Sequence, residues 1–113
     1  MKIGELTKRS GLSAHTLRYY ERIGLLPPAA RDVSGNRDYD ESILRWIEFL
    51  GRLKATDMPI RNRLRYAELR ACGESTAIER RELLAAHRDG VRTRIAELQA
   101  GLQILDAKIA AYG

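Results

Sequence analysis

The strongest constraint on this chain is a row of nine residues in its second half. Leu84, Arg88, Val91, Ile95, Leu98, Leu102, Leu105, Ile109 and Tyr112 follow one another at alternating spacings of four and three. All but Arg88 are apolar, and this spacing places them on one seam of a single helix. A helix over about 79–112 would be roughly 50 Å long at 1.5 Å per residue. A chain of 113 residues has room for one core and an appendage, so such a helix has too little partner surface within its own chain. The seam calls for a second copy, and the sequence therefore predicts a coiled-coil dimer with a dimerisation segment at 77–112.

The residues in front of the seam predict a compact helical head at 1–73. A first helix over about 3–9 buries Ile3 and Leu6. Ser10-Gly11-Leu12-Ser13 then forms a tight corner, in which Gly11 supplies the permissive backbone and Ser13 caps a second helix over about 14–23. Two short helices across such a corner outline a helix-turn-helix over 3–23. From 27 to 39 helical periodicity stops. Pro27-Pro28 excludes helix, and Ser34-Gly35-Asn36 is a turn cluster, so this stretch reads as a hairpin wing. Asp40 is expected to cap a helix over 41–55, whose inner stripe is Ile43, Ile47, Leu50 and Lys54 with Trp46, Phe49 and Leu53 beside it. Pro59 opens a last head helix over 59–72, which Gly73 ends.

Charge sharpens this division. Residues 1–72 carry 14 Lys and Arg against 9 Asp and Glu, whereas residues 73–113 carry 6 of each. The whole formal net charge of +5 thus belongs to the head, where a phosphate-binding surface is to be sought. On the second helix Leu17 and Tyr20 face inward. Ala14, His15, Arg18, Tyr19 and Arg22 form the other face, whose cations and phenol suit insertion into a DNA major groove. The single cysteine, Cys72, excludes an internal disulfide and fits a reducing compartment; no apolar run approaches a membrane span, and the expected setting is cytoplasmic. No paired carboxylates, nucleophile–base pair, phosphate loop or metal cluster supports an enzyme, and no cofactor is expected.

The segments Ile3-Gly4-Glu5-Leu6, Ser10-Gly11-Leu12-Ser13 and above all Thr16-Leu17-Arg18-Tyr19-Tyr20-Glu21-Arg22-Ile23-Gly24-Leu25-Leu26-Pro27 resemble the N-terminal signature of the MerR family of transcription regulators. Arg37 and Tyr39 in the wing, Met58-Pro59 and the tail helix extend the resemblance over essentially the whole chain. It implies a mainly α protein: a winged helix-turn-helix head followed by a long dimerisation helix forming an antiparallel coiled coil. It further implies a two-fold homodimer on an inverted-repeat promoter element. The bound promoter is bent and untwisted, for about 1–6 kcal/mol of smooth deformation, so that RNA polymerase can use it, and the protein is expected to be nucleoid-associated. Arg18 and Tyr19 match DNA-contacting positions of the family, and Arg37 and Tyr39 match wing positions near the phosphates. His15 is the candidate for a base-edge contact, while Lys8 and Arg31 are either near the backbone or solvated.

The chain also departs from the family's pattern. Asn36 stands where the wing usually has an aromatic ring, and Asp57 where glycine usually precedes Met58; Asp tolerates a left-handed backbone. In the fourth helix Arg63 and Leu64 look exchanged, leaving a rotated stripe of Ile60, Leu64, Ala67 and Ala71 with additional cations at Arg61, Arg65 and Arg70. One cysteine is too few for the family's thiolate metal sites. Cys72 is either a thiol switch or a small residue at a helix end. Drug-sensing members carry a ligand domain after the dimer helix. Here an unknown small-molecule or stress signal is expected to act on that helix, on its junction with the head or on Cys72. The alternatives are an architectural, excisionase-like DNA-bending protein without effector, and a coiled-coil adaptor whose head binds protein.

Overall fold

The structure, a computed structural model, describes all residues from Met1 to Gly113. The chain divides into a head, Met1–Ala77, and a tail, Ile78–Gly113. The head runs α1 (Ile3–Ser10), α2 (Ala14–Ile23), β1 (Ala30–Arg31), β2 (Arg37–Asp38), α3 (Ile43–Ala55), α4 (Ile60–Ala71) and a 3-10 turn (Glu74–Thr76); α5 (Ala77–Ala111) forms the tail.

The corner between α1 and α2 follows the residues that form it. Gly11 ends α1 at φ 75°, its N–H bonded to the Thr7 carbonyl. The Ser13 hydroxyl then accepts from Thr16 N–H at 3.1 Å and caps α2. Gly24, at φ 92°, closes α2, and the N–H groups of Leu25 and Leu26 both reach back to the Tyr20 carbonyl. That turn drives Leu25 and Leu26 into the core with Leu6, Leu17 and Met58. From α3, Ile43, Trp46, Ile47, Leu50 and Leu53 close the core from the other side. The buried Trp46 Nε1–H donates to the Leu25 carbonyl at 2.9 Å, tying α3 to the chain just after α2.

Two details of the head differ from expectation. Asp40 does not cap α3 directly: its Oδ1 accepts from Ser42 N–H at 2.8 Å, making a turn of residues 41 and 42 before the helix starts at Ile43. Lys54, expected on the inner stripe, is exposed. The α4 stripe also needs correction. Its buried residues are Tyr66, Ala67 and Leu69, whereas Ile60 and Ala71 are exposed and Leu64 is half-buried. The cause is aromatic packing: Tyr66 stacks on Trp46 at 5.8 Å and meets Phe49 at 5.7 Å, and Arg70 covers the Trp46 ring at 4.4 Å. Arg63 donates from Nε to the Met58 carbonyl at 3.0 Å, serving the connection before α4. In that connection Asp57 takes the left-handed backbone at φ 64°. Thr76, buried in the 3-10 turn that sequence periodicity did not signal, donates to the Leu69 carbonyl at 2.6 Å and satisfies an otherwise open end of α4.

The tail is one helix of 35 residues with no buried residue. Along the seam, Ile95, Leu98, Leu102, Leu105, Ile109 and Tyr112 are all exposed in the protomer, and Leu84 and Val91 are half-buried. An apolar row of this length left to water is a face awaiting a partner. No helix is long and apolar enough to cross a membrane.

Candidate nucleic-acid interface

The outward face of α2 follows from what its inward face must do. Leu17 is fully buried and Tyr20 half-buried, which turns His15, Arg18, Tyr19 and Arg22 to solvent, with Ala14 half-buried at the N-terminal end. Arg22 lies over the Tyr19 ring, 5.3 Å from its centroid, so the phenol and the guanidinium form one surface. Neither Arg18 nor Arg22 is held by an acid of the chain.

The wing is a minimal antiparallel pair with Ala30 opposite Asp38 and Arg31 opposite Arg37. Two strands of two residues are marginal alone, and side chains supply what the ladder lacks. Asp32 Oδ1 accepts from the N–H groups of Ser34 and Asn36 at 2.9 and 3.0 Å, and Gly35 turns the tip at φ 81°. The other Asp32 oxygen pairs with Lys2 Nζ, and Arg31 donates to the Gly35 carbonyl at 3.1 Å. On β2, the Met1 ammonium donates to Asp38 Oδ1 and to the Tyr39 carbonyl, each at 2.8 Å. From α2, Glu21 accepts from Ala29 N–H at 3.3 Å and from Arg37 Nε at 2.9 Å.

Between α2 and the wing lies a cleft of about 330 Å³ lined by Lys2, Ile3, Arg18, Arg31, Asn36 and Arg37. Four cations around one small cleft can surround a phosphate group. Of the residues expected at a DNA surface, Arg18 and Arg37 line it, while Ala14, His15, Tyr19 and Arg22 extend from it along α2. Tyr39 is placed differently. It is only 4 % exposed, so its ring is core rather than surface, and its buried hydroxyl has no hydrogen-bond partner. Burial and the nearby Glu21 carboxylate push that phenol above its ordinary pKa. Sequence reasoning marks Asn36 only as a departure in the wing, and it does not single out Lys2 or Glu21 as site residues. Lys2 and Glu21 act through partners 30 and 16 residues away, a relation that no local pattern reports.

The acids of this region are engaged by its cations, which predicts a pH response. The Lys2 hydrogen bond, aided by the Asn36 and Ser34 amides, lowers the Asp32 pKa; the chain's own ammonium lowers that of Asp38. For a carboxylate with a lowered native pKa, the stabilisation is complete above the unfolded value of about 3.9 and is lost as pH falls through the native one. The Ser34 and Asn36 amide resonances should therefore keep their folded positions on acidification to below the ordinary aspartate midpoint. Asp32→Asn should remove that titration. An NMR pH series that finds an ordinary midpoint for both amides would refute the arrangement.

The head's charge is also more finely divided than its total suggests. Residues 1–42 carry 7 cations against 6 acids, and residues 43–72 carry 7 against 3. The recognition helix and wing are thus nearly neutral in sum, and Glu5, Glu21, Asp32, Asp38 and Glu41 are engaged in ion pairs, whereas Arg18, Arg22 and Arg31 are not. Cys72 is exposed at the end of α4, and no three His, Cys, Asp or Glu side chains gather where they could hold a metal ion.

The chain is similar to known transcription regulators. The sequence model described as MerR family regulatory protein matches residues 2–39. An uncharacterized HTH-type transcriptional regulator of Haemophilus influenzae is 39% identical over 105 residues, covering 93% of this chain and 78% of the relative. The HTH-type transcriptional regulator AdhR of Bacillus subtilis is 43% identical over 78% of this chain, which spans 63% of AdhR. Among solved structures, a MerR family transcriptional regulator from Listeria monocytogenes superimposes with a TM-score of 0.89 at 41% identity, covering 99% of this chain and 85% of that one. HiNmlR, a MerR family regulator lacking the sensor domain and bound to promoter DNA, superimposes with a TM-score of 0.84 at 37% identity, covering 98% and 88%.

Proposed function

The chain belongs to the MerR family, and from that premise we propose that it is a DNA-binding transcriptional regulator that acts as a homodimer on an inverted-repeat promoter element. The observation that carries the reading is the continuity of two surfaces: the exposed face of α2 runs into a cleft of Lys2, Arg18, Arg31 and Arg37 that the wing completes. In this reading α2 enters the major groove, where His15, Arg18 and Arg22 meet base edges and Tyr19 packs on the backbone. The cleft takes a phosphate of the flanking strand.

The tail supplies the pairing. A 35-residue α5 paired with its copy through Leu84, Val91, Ile95, Leu98, Leu102, Leu105, Ile109 and Tyr112 joins two heads in one dimer. Antiparallel pairing suits the charges. A parallel pair would set Arg88 against Arg88 in the seam and crowd Arg92 and Arg94 of both copies together. Antiparallel pairing places that stretch against 102–109, which carries one Lys and one Asp. Two heads joined in this way and bound to both half-sites can deform the duplex between them, and in this reading that deformation alters access of RNA polymerase. A small-molecule or stress signal would act by shifting the separation or orientation of the heads, and Cys72 is its candidate thiol input.

The test is selection from random duplexes with the purified protein, followed by titration of the enriched sequence across a salt series. The expected result is an inverted repeat bound by a dimer, with affinity falling steeply as salt rises. Binding without an enriched sequence would make the protein an architectural DNA-bending factor. Salt-insensitive behaviour without a footprint would make it a protein-binding adaptor.

A further inference from the structure

Glu21 is the one acid of α2, and a carboxylate this close to a DNA-binding surface is costly. A carboxylate beside a phosphate cleft repels the polymer that the cleft is built to hold. It is nevertheless largely shielded, with a side chain 15% exposed. Its two oxygens have different partners. Oε1 accepts from the N–H of Ala29, one residue before β1, and Oε2 accepts from Nε of Arg37 on β2. One side chain of the recognition helix thus holds β2 and the residue that leads into β1. The pairing also orients Arg37: with Nε engaged, both Nη groups have no acceptor in the protein, and the guanidinium lines the cleft with Lys2, Arg18 and Arg31.

We propose that Glu21 is a positioning residue for DNA binding, a strut that locks the wing to the recognition helix and turns the two free Nη groups of Arg37 toward a backbone phosphate. The inference rests on the reading that this face binds DNA. Its physical basis is the planar fork of arginine: Nε and Nη define fixed directions, so anchoring Nε on a carboxylate sets where the remaining donors point. A group held in this way loses less conformational freedom when the phosphate arrives. The strut also couples two contacts. A phosphate in the cleft and a base edge under Arg18 are addressed from one body rather than from two hinged ones.

Charge and position predict opposite signs for the same substitution, which makes the test decisive. Glu21→Gln removes a negative charge from behind the cleft, so a purely electrostatic role would make the variant bind more tightly. As a strut, Gln keeps an oxygen for Ala29 N–H but presents no carboxylate to Arg37. Affinity for the selected duplex, measured by anisotropy at fixed salt, should then weaken roughly ten-fold, the scale of one charge-assisted hydrogen bond. Arg37→Lys keeps a cation for Glu21 without the paired Nη donors and should lose a similar factor with the head still folded. In the double variant Glu21→Gln/Arg37→Lys the two losses should not multiply, because both act on one contact. The thermal midpoint, read in parallel, separates a misfolded variant from a misaligned one. Glu21→Gln binding as tightly as the unmodified protein, or losses that multiply, would overturn the proposal. Failure of the unmodified protein to bind any duplex would instead overturn the DNA-binding reading on which it rests.

Discussion

Arg18→Ala should weaken binding to the selected operator by about 1–3 kcal/mol for each half-site, roughly ten- to hundred-fold per head. The size follows from the surroundings of Arg18. It is exposed on α2 and lines the phosphate cleft, and no carboxylate of the chain holds it, so nothing internal compensates for its loss. Arg37 by contrast is shared with Glu21 and Lys2 with Asp32, so each of their truncations would also loosen the wing. The salt series distinguishes what Arg18 touches. If it grips a phosphate, the variant binds all sequences more weakly and the log–log salt slope becomes shallower by about 0.9 per lost contact. If it reads a base edge, the slope holds and selectivity relaxes at one position of each half-site. An Arg18→Ala protein with unchanged affinity and selectivity would remove α2 from the interface.

What made Arg18 identifiable from sequence, and Glu21 not, is the range over which each is determined. Helical periodicity is local, so α1, α2 and the α5 seam were legible from apolar spacing, and the corner between α1 and α2 from Gly11 and Ser13. The outward face of α2 followed from its inward one. The α4 face was misjudged because Ile60, Leu64, Ala67 and Ala71 form a plausible stripe, yet the side that α4 buries is decided by the Trp46, Phe49 and Tyr66 rings, which meet across two helices. The start of α3 slipped by two residues because an aspartate that caps a helix and one that caps a turn look alike in sequence. Glu21 and Lys2 lay beyond local reasoning altogether. Tyr39 shows the converse limit: matching a wing position to a family role says nothing of whether its ring lies on the surface or beneath it.

The larger effect is expected in the tail. Leu98→Asp should dissociate the dimer at micromolar concentration and, with it, abolish operator binding at concentrations where the unmodified protein saturates. Leu98 lies midway along the seam and is 62% exposed in the protomer, so most of its apolar area is available to a partner. Removing that burial from both copies costs roughly 2–4 kcal/mol, before the penalty of placing two carboxylates in an apolar layer. By mass action that alone raises the dimer dissociation constant about 30- to 1000-fold. Gln103→Asp supplies the control, since it adds the same charge at an exposed off-seam position and should leave the dimer intact. Sedimentation velocity reads the assembly, and far-UV circular dichroism reads the tail, whose helix of 35 residues has no fully buried residue in the protomer and should lose content when its partner leaves. The consequence for DNA is steeper than for assembly. A monomer keeps its α2 face and cleft but reaches one half-site at a time, and it forfeits the effective concentration that the first bound head confers on the second. It also cannot use the link between two bound half-sites to deform the promoter between them. A Leu98→Asp protein that remains dimeric would show that the seam is not the assembly surface, whereas a monomer that still binds the inverted repeat with full affinity would show that a single head suffices.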